Sequence, residues 1–557
     1  MHNSTRKKLT FAAISIVCIC ALWYYQFFIL VNIPWWDDFH GIMLPVYNLF
    51  TDLPLKEKLH SFFSLNNEHR VVNDRFFMLL IYLITGDFQM KTLGLIGFLN
   101  LIMIFILFLK VAKPYVSNIL KLCPILFLIF QAQYYESLQS LMVPFQNFSV
   151  IFYSFLSFYF LIFSRKFSFQ VALLLAIIAL FTHGNGILCL VIGAALLVFQ
   201  RKNKLAVIWL GIASMTIFLY FIGYEKPSWT SEISPSKSLF SRGIYVFEFL
   251  GSYFLNFTDL SIKLSQYGYG KLVSSIGGLA SILLFGFFFF KKYPFGFKNY
   301  EVYFTRLRHS KLDLFVLLCF GFIFSTGILI GITRTGLPIF SRYTINSAML
   351  LCLIYIFIIT NIKKSNAISI LFSAVTFCVL LISYFNTYEI AIFKKKNAIT
   401  DGINWKNSGT WINQYADPEH IVRLNPLLNE PFTSGKYTFP KNNLEALLKE
   451  NYLLSNDSVE VKLVGNFLEI QETNEIYEKK ENGIYYVLKN NSKEYIFPSF
   501  HKKNNLIQFL KTGKYFSNQH KTSFPKNLLS SGEYQLYRIK YEALHNENTI
   551  INLKLIL

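Results

Sequence analysis

Apolar runs broken by short polar segments fill roughly the first two thirds of the chain, and then the pattern stops. The runs cover residues 9–31, 93–109, 115–130, 143–163, 167–181, 186–199, 205–224, 272–290, 314–332, 343–360 and 367–384. A helix needs about 20 apolar residues to cross roughly 30 Å of hydrocarbon, so the pattern predicts about eleven transmembrane helices, several of them short. Basic clusters at residues 6–8, 110–121, 165–166, 201–204, 291–311 and 363–364 occupy every second gap between runs. That alternation is the positive-inside pattern: it places the N-terminus in the cytoplasm and, after eleven crossings, the C-terminus outside.

Residues 167–200 test the scheme, because they form one apolar stretch with basic residues at both ends. As a single helix it would be about 51 Å long, so a hairpin turning at His183-Gly184-Asn185-Gly186 is expected. Residues 76–85 are too short to cross, and residues 241–257 carry Arg242 and Glu248; both are read as interfacial or re-entrant helices. The first run follows Arg6-Lys7-Lys8, but it is longer than a signal-peptide core and no small-residue cleavage site follows, so it reads as a retained span.

From residue 393 the chain turns polar, and short runs at 459–470, 483–488 and 534–541 alternate as strands do. The expectation is an all-α polytopic membrane domain, residues 1–392, with a long first loop at 32–91. A soluble extracytoplasmic α+β or mainly β domain follows at 393–557. Lys394-Lys395-Lys396 stands against the scheme, since it follows the last span on the supposed outside.

Composition agrees with a bilayer as the main solvent: 53% of the 557 residues are hydrophobic and 15% are charged. The net charge of +21 is accounted for by loops facing an anionic leaflet, so nucleic acid is not an expected partner. All seven cysteines lie in apolar stretches, which argues against a disulfide framework or a cysteine-ligated metal.

The acidic residues gather on the other side. Asp37, Asp38, Asp52, Glu57, Glu68, Asp74 and Asp87 all fall in the first loop, so a polar site is expected at the extracytoplasmic boundary. Trp35-Trp36-Asp37-Asp38-Phe39-His40 comes directly after a span; two adjacent, partly desolvated carboxylates raise one pKa and suit a general base or a metal ligand. The plainer reading is an interfacial tryptophan anchor with an aspartate helix cap. Glu68-His69-Arg70 and Arg75 supply an acid, an imidazole and two fixed cations, which either neutralise one another or hold an anionic headgroup. Tyr134 and Glu136 border the next outer turn, where they suit sugar hydroxyls or simply end a helix. In the tight turn, His183 and Asn185 sit between glycines that allow close backbone approach. Arg334 and Arg342, with Tyr343, occupy a short outer loop where arginine is disfavoured. They predict either a bound phosphate or pairing with first-loop acids such as Asp37 or Glu68.

The set Trp36-Asp37-Asp38, Glu68-His69-Arg70, Gly184-Asn185-Gly186 and Ser341-Arg342-Tyr343, in that order and on one face, resembles the bacterial membrane glycosyltransferases of the GT-C superfamily across about the first 390 residues. The resemblance implies an enzyme of the bacterial cytoplasmic membrane. It would take a sugar from a polyprenyl-phosphate carrier and pass it, with inversion, to a glycan or lipid acceptor outside the cytoplasm. Asp37 or Asp38 would be the base and Arg334 or Arg342 the phosphate clamp, with Glu68, His69 and Arg70 shaping the pocket. The resemblance leaves a divalent metal ion open as a cofactor, since some relatives use one and others do not. The Asp-Asp pair stands where better-known relatives have Asp-Glu. A polymerase or ligase using pyrophosphate-linked glycans, a transporter or flippase, and a non-catalytic scaffold are the alternatives. Ionisable residues at mid-membrane, which transporters use, are nearly absent here.

Overall fold

The computed structural model describes residues 2–163, 166–225, 238–258, 269–294, 300–362, 366–412, 418–450, 453–455, 459–473, 482–541 and 546–556. Arg165, residues 226–237, part of the 291–311 basic cluster (295–299) and Lys363-Lys364 lie outside them. The chain divides into two compact units. The first comprises Met1–Phe28, Asn48–Leu79 and Thr92–Thr387, and the second Ile29–Tyr47, Leu80–Lys91 and Tyr388–Leu557.

Among the described residues, eight helices are long and apolar enough to cross a membrane: Thr5–Ile29, Met90–Tyr115, Val143–Ile162, Asn203–Phe221, Tyr269–Lys292, Lys311–Thr333, Ser341–Asn361 and Asn366–Ser408. The three remaining runs also form helices, Ile119–Ile129, Ser168–Thr182 and Gly184–Phe199, but these are shorter than a span. All eleven apolar runs are thus helical, whereas length and composition single out eight as spans. The expected break at residues 183–186 is present. His183 is extended, with φ −156° and ψ 141°, and a single 3-10 turn, Gly184–Gly186, restarts the helix. Gly186 has no alternative there, since a Cβ would lie 2.3 Å from the Ala179 carbonyl. Of the segments read as interfacial, 76–85 falls in the helix Val72–Thr85, and 241–257 is divided among Leu239–Leu250, the 3-10 turn Ser252–Phe254 and the short helix Leu255–Thr258; none of these is among the eight.

Helix packing in the first unit relies on small residues where backbones approach closely. A Cβ on Gly251 would lie 1.8 Å from the Ser274 carbonyl oxygen, and one on Gly278 would lie 2.0 Å from that of Phe247. The helices Leu239–Leu250 and Tyr269–Lys292 therefore meet backbone to backbone, the contact that small residues allow between helices in lipid.

Among the described residues of the second unit, nine strands form two sheets: β1 (Leu453–Ser455), β2 (Glu460–Val464), β3 (Phe467–Thr473), β4 (Gly483–Lys489), β5 (Glu494–Pro498), β6 (Phe500–Lys503), β7 (Phe516–Pro525), β8 (Glu533–Tyr541) and β9 (Asn546–Ile556). One sheet has the order β1-β9-β8-β4-β5 and the other β2-β3-β7-β6. Among these strands β1 and β9 pair in parallel and the other pairs are antiparallel. Strand β4 is apolar on both faces because both are covered. Ile484, Tyr486 and Leu488 pack with Leu468, Ile470 and Phe524 of the other sheet. Tyr485 and Val487 pack with Ile399, Ile403, Leu444 and Leu447.

Two features differ from the expected organisation. The boundary placed at residue 393 falls inside one continuous helix of 43 residues, Asn366–Ser408. The first loop is also not one piece, since its two ends join the C-terminal residues. There the Tyr437 hydroxyl donates to the Asn32 carbonyl at 2.6 Å, the Phe88 N–H to the Lys436 carbonyl at 3.0 Å, and the Thr438 N–H to the Asp87 carboxylate at 2.9 Å.

Replacing Gly278 by alanine is expected to overpack the contact with Phe247 and lower stability by about 1–3 kcal/mol. A thermal melt of the purified full chain in detergent, compared with Gly243→Ala, where a Cβ meets open space, measures it.

Candidate functional site

Four segments far apart in sequence bring polar side chains together in the first unit. The Asn66–His69 turn is held by reciprocal backbone hydrogen bonds of 2.7 and 3.0 Å and presents Glu68 and His69. Arg334, the residue that ends the helix Lys311–Thr333, forms an ion pair with Glu68. Both partners are largely buried, so the pairing offsets desolvation that either charge alone would leave uncompensated. The Glu68 carboxylate also lies 3.7 Å from His69 Nε2.

The break between helices supplies the second imidazole. The rings of His69 and His183 lie 3.8 Å apart, centroid to centroid. The Gly184 N–H donates to His69 Nδ1 at 3.3 Å, and a Cβ on residue 184 would sit 3.0 Å from that atom. Glycine is what lets the turn approach the ring. His183 Nδ1 lies 2.7 Å from the Asn185 side-chain oxygen, and the Asn185 amide reaches the Thr326 hydroxyl at 3.4 Å.

Burial, and then the charge of Arg342, hold the His69 pKa down to about 4. The His183 pKa is also pushed well down, by burial first and then by His69 and Arg342, against the hydrogen bond to the Asn185 side-chain oxygen. Both rings are therefore neutral near pH 7.

Arg342 enters through a reciprocal tie between loops. Its N–H donates to the Glu136 carboxylate at 3.2 Å, while the Glu136 N–H donates to the Ser341 hydroxyl at 2.9 Å. The Arg342 guanidinium lies over the rings of Phe340 and Tyr343, at 4.6 and 5.6 Å, and among the described residues no carboxylate pairs with it.

The other expected cations are spent on backbone. Arg70 is buried and donates to the carbonyls of Phe63, Tyr220 and Ile222. Arg75 is buried and donates to those of Ser61, Phe62 and Ser64. Both brace the fold. Tyr134 is fully buried against Phe148, away from any open surface.

The acidic pair belongs to the second unit. Asp38 is 2% exposed and accepts the Trp35 N–H at 2.8 Å, so it closes the turn before the helix and makes no side-chain cap bond to it. Asp37 and His40 are exposed.

Beside the cluster in the first unit lies an open cleft of about 1020 Å³, lined by Phe63, Leu65, Asn67, Arg70, Phe181 and Leu219 among others. The cleft and the cluster share their building segments: Asn67 and Arg70 flank Glu68 and His69, and Phe181 precedes His183 by two residues. Tyr220, next to Leu219, donates its hydroxyl to the Glu68 carbonyl at 3.3 Å. Sequence reading missed Tyr220 and Thr326, because a hydroxyl within an apolar run carries no signal of its direction.

Among the described residues no group of three or more His, Cys, Asp or Glu side chains is placed to hold a metal ion. In the second unit, Ser499, His520 and Glu472 form a chain, with Ser499 Oγ 2.7 Å from His520 Nδ1 and Glu472 3.8 Å from His520 Nε2. Ser499 and His520 are buried, and Glu472 is engaged by Arg538 and Tyr486. The chain is a sealed polar core, not an open nucleophile. Comparison with known protein families, characterised proteins and solved structures finds no match.

Two outcomes are expected. In a double-mutant cycle, Glu68→Gln and Arg334→Gln should show a coupling of about 1–3 kcal/mol in unfolding. Stability should also fall as pH drops from about 6.5 toward 4. In that window the unfolded chain binds protons at His69 that the folded site refuses, so acid favours unfolding. His69→Gln should flatten this part of a pH series of thermal melts.

Proposed function

We propose that the chain is an integral membrane glycosyltransferase that moves a sugar from a polyprenyl-phosphate carrier to an envelope glycan or lipid on the extracytoplasmic face. The observation that carries this reading is the largely apolar cleft of about 1020 Å³ built from the same segments as a cationic, histidine-bearing cluster. A lipid-linked donor has that dual character, with an isoprenoid chain joined to a phosphate. The cleft takes the chain end nearest the phosphate, and Arg342, which has no carboxylate partner among the described residues, takes the phosphate. Arg334 is neutralised by Glu68 and serves the architecture first.

The chemistry asks for little else. The acceptor oxygen forms a bond to the anomeric carbon as the bond from that carbon to the phosphate oxygen breaks. The acceptor proton goes to a base, and polyprenyl phosphate leaves, its charge balanced by the arginine. Inversion follows from a single displacement. The resemblance offers Asp37 or Asp38 as the base, and of the two Asp37 is the exposed one, whereas Asp38 is buried and accepts the Trp35 N–H. His69 and His183, neutral near pH 7, are positioned to hydrogen-bond sugar hydroxyls as donors or acceptors. The topology that goes with this reading has eleven crossings, a cytoplasmic N-terminus and the second unit outside, in the cytoplasmic membrane of a bacterium.

Mass analysis of envelope glycans from cells with the protein, without it, and with Asp37→Asn or Arg342→Gln tests the proposal. The wild type alone should carry the added sugar, and purified Arg342→Gln should transfer from an undecaprenyl-phosphate monosaccharide about a hundredfold or more slowly. Identical glycans in all four samples would overturn it. Transfer from pyrophosphate-linked oligosaccharides only would replace it with a polymerase or ligase.

A further inference from the structure

The second unit holds a cavity of about 280 Å³ whose walls carry four lysines, Lys91, Lys395, Lys406 and Lys441, against one carboxylate, Glu445. Lysines thus outnumber carboxylates four to one in the lining, and Glu445 is paired with Lys406. This cavity accounts for one member of the lysine run that conflicted with the charge rule. Successive helical residues point about 100° apart, and the three lysines go three ways. Lys394 lies 4.9 Å from the Trp35 ring. Lys396 is fully buried over the rings of Tyr485 and Phe500. Lys395 lines the cavity.

The walls are fixed by hydrogen bonds through Asn32. Its amide donates to the Phe88 carbonyl at 3.3 Å, its side-chain oxygen accepts the Lys91 N–H at 3.1 Å, and its carbonyl accepts the Tyr437 hydroxyl at 2.6 Å. Chain continuity sets the level of the cavity. Asn32 follows the helix Thr5–Ile29 by three residues, and Lys91 is the second residue of Met90–Tyr115. Two of its walls are therefore the ends of candidate spans, where headgroups lie.

We propose that this cavity binds a phosphate group at the membrane surface. Its volume lies at the lower edge of the range for small-molecule pockets, which suits a headgroup and excludes a long glycan. Lysine ammonium groups act as point charges that serve a phosphate without demanding one orientation, in contrast to the arginine of the first unit. The proposal is independent of the glycosyltransferase reading, since no residue is shared between the two sites.

The test uses the purified full chain in a nonionic detergent, titrated by calorimetry with inorganic phosphate, dihexanoyl phosphatidic acid and dihexanoyl phosphatidylcholine. Phosphatidic acid should bind, and the zwitterionic lipid should not. In Lys395→Gln/Lys441→Gln the affinity for phosphatidic acid should fall about tenfold or more, as expected for lost contacts to a charged group. The single variant Lys441→Gln, at an exposed position, should show part of that loss with an unchanged melting temperature. Inorganic phosphate binding as tightly as phosphatidic acid would assign the site to a free phosphate group, and much weaker binding of phosphate would assign it to a lipid headgroup. Equal binding of both lipids, full affinity in the well-folded double variant, or loss of binding in Arg342→Gln instead would overturn the proposal.

Discussion

The ion pair between Glu68 and Arg334 is the contact on which the polar end of the first unit depends. A carboxylate and a guanidinium that are both mostly removed from water are tolerable there only together. Their pairing fixes the Asn66–His69 turn against the end of the helix Lys311–Thr333, and the two histidines are placed by that attachment. His69 then has one side facing Glu68 and the other facing His183 and Gly184. The low proton affinity of the rings follows from the same crowding: a protonated ring would be desolvated and would face Arg342.

The arginines of this unit divide into two kinds by what their donors meet. Arg70 and Arg75 direct theirs to backbone carbonyls at the ends of helices and turns, which have no intrahelical partner and would be costly to bury bare. Arg342 meets aromatic faces instead, an arrangement that leaves its planar fork directed by neighbouring rings and not by a carboxylate. Sequence alone marks all three as cations in polar segments. Only the first two are braces, and the difference lies in whether free carbonyls happen to surround the side chain.

The second unit solves a different problem, how to build one compact domain from segments far apart in the sequence. A five-stranded sheet lies between a second sheet and the C-terminal part of the helix Asn366–Ser408, so its central strand is apolar on both faces. The pieces of the first loop in this unit join it through the Tyr437 hydroxyl on the Asn32 carbonyl, the Thr438 N–H on the Asp87 carboxylate, the backbone bond from Phe88 to Lys436, and the edge contact of Phe39 with Trp411, 5.5 Å apart. Each bond is a single contact between segments far apart in sequence, which is why the loop carries no local pattern announcing its partner.

The patterns of apolar positions by themselves determined where helices form, including the break at His183–Gly186, and placed strands within 459–470, 483–488 and 534–541, the first of which is two strands, because burial and backbone satisfaction impose periods that can be read locally. Clustered acidic and basic motifs likewise marked Glu68, His69, His183, Arg334 and Arg342 before any geometry was known. Tertiary structure alone decided that these five converge, that Tyr134 is sealed in the core, that Arg70 and Arg75 are braces, and that Asp38 closes a turn while Asp37 stays exposed. It also decided that the first loop is divided between two units and that three adjacent lysines have three separate surroundings. The physical reason is range: periodicity reports which side of an element avoids water, but the partner of a charge is set by which distant segment arrives beside it.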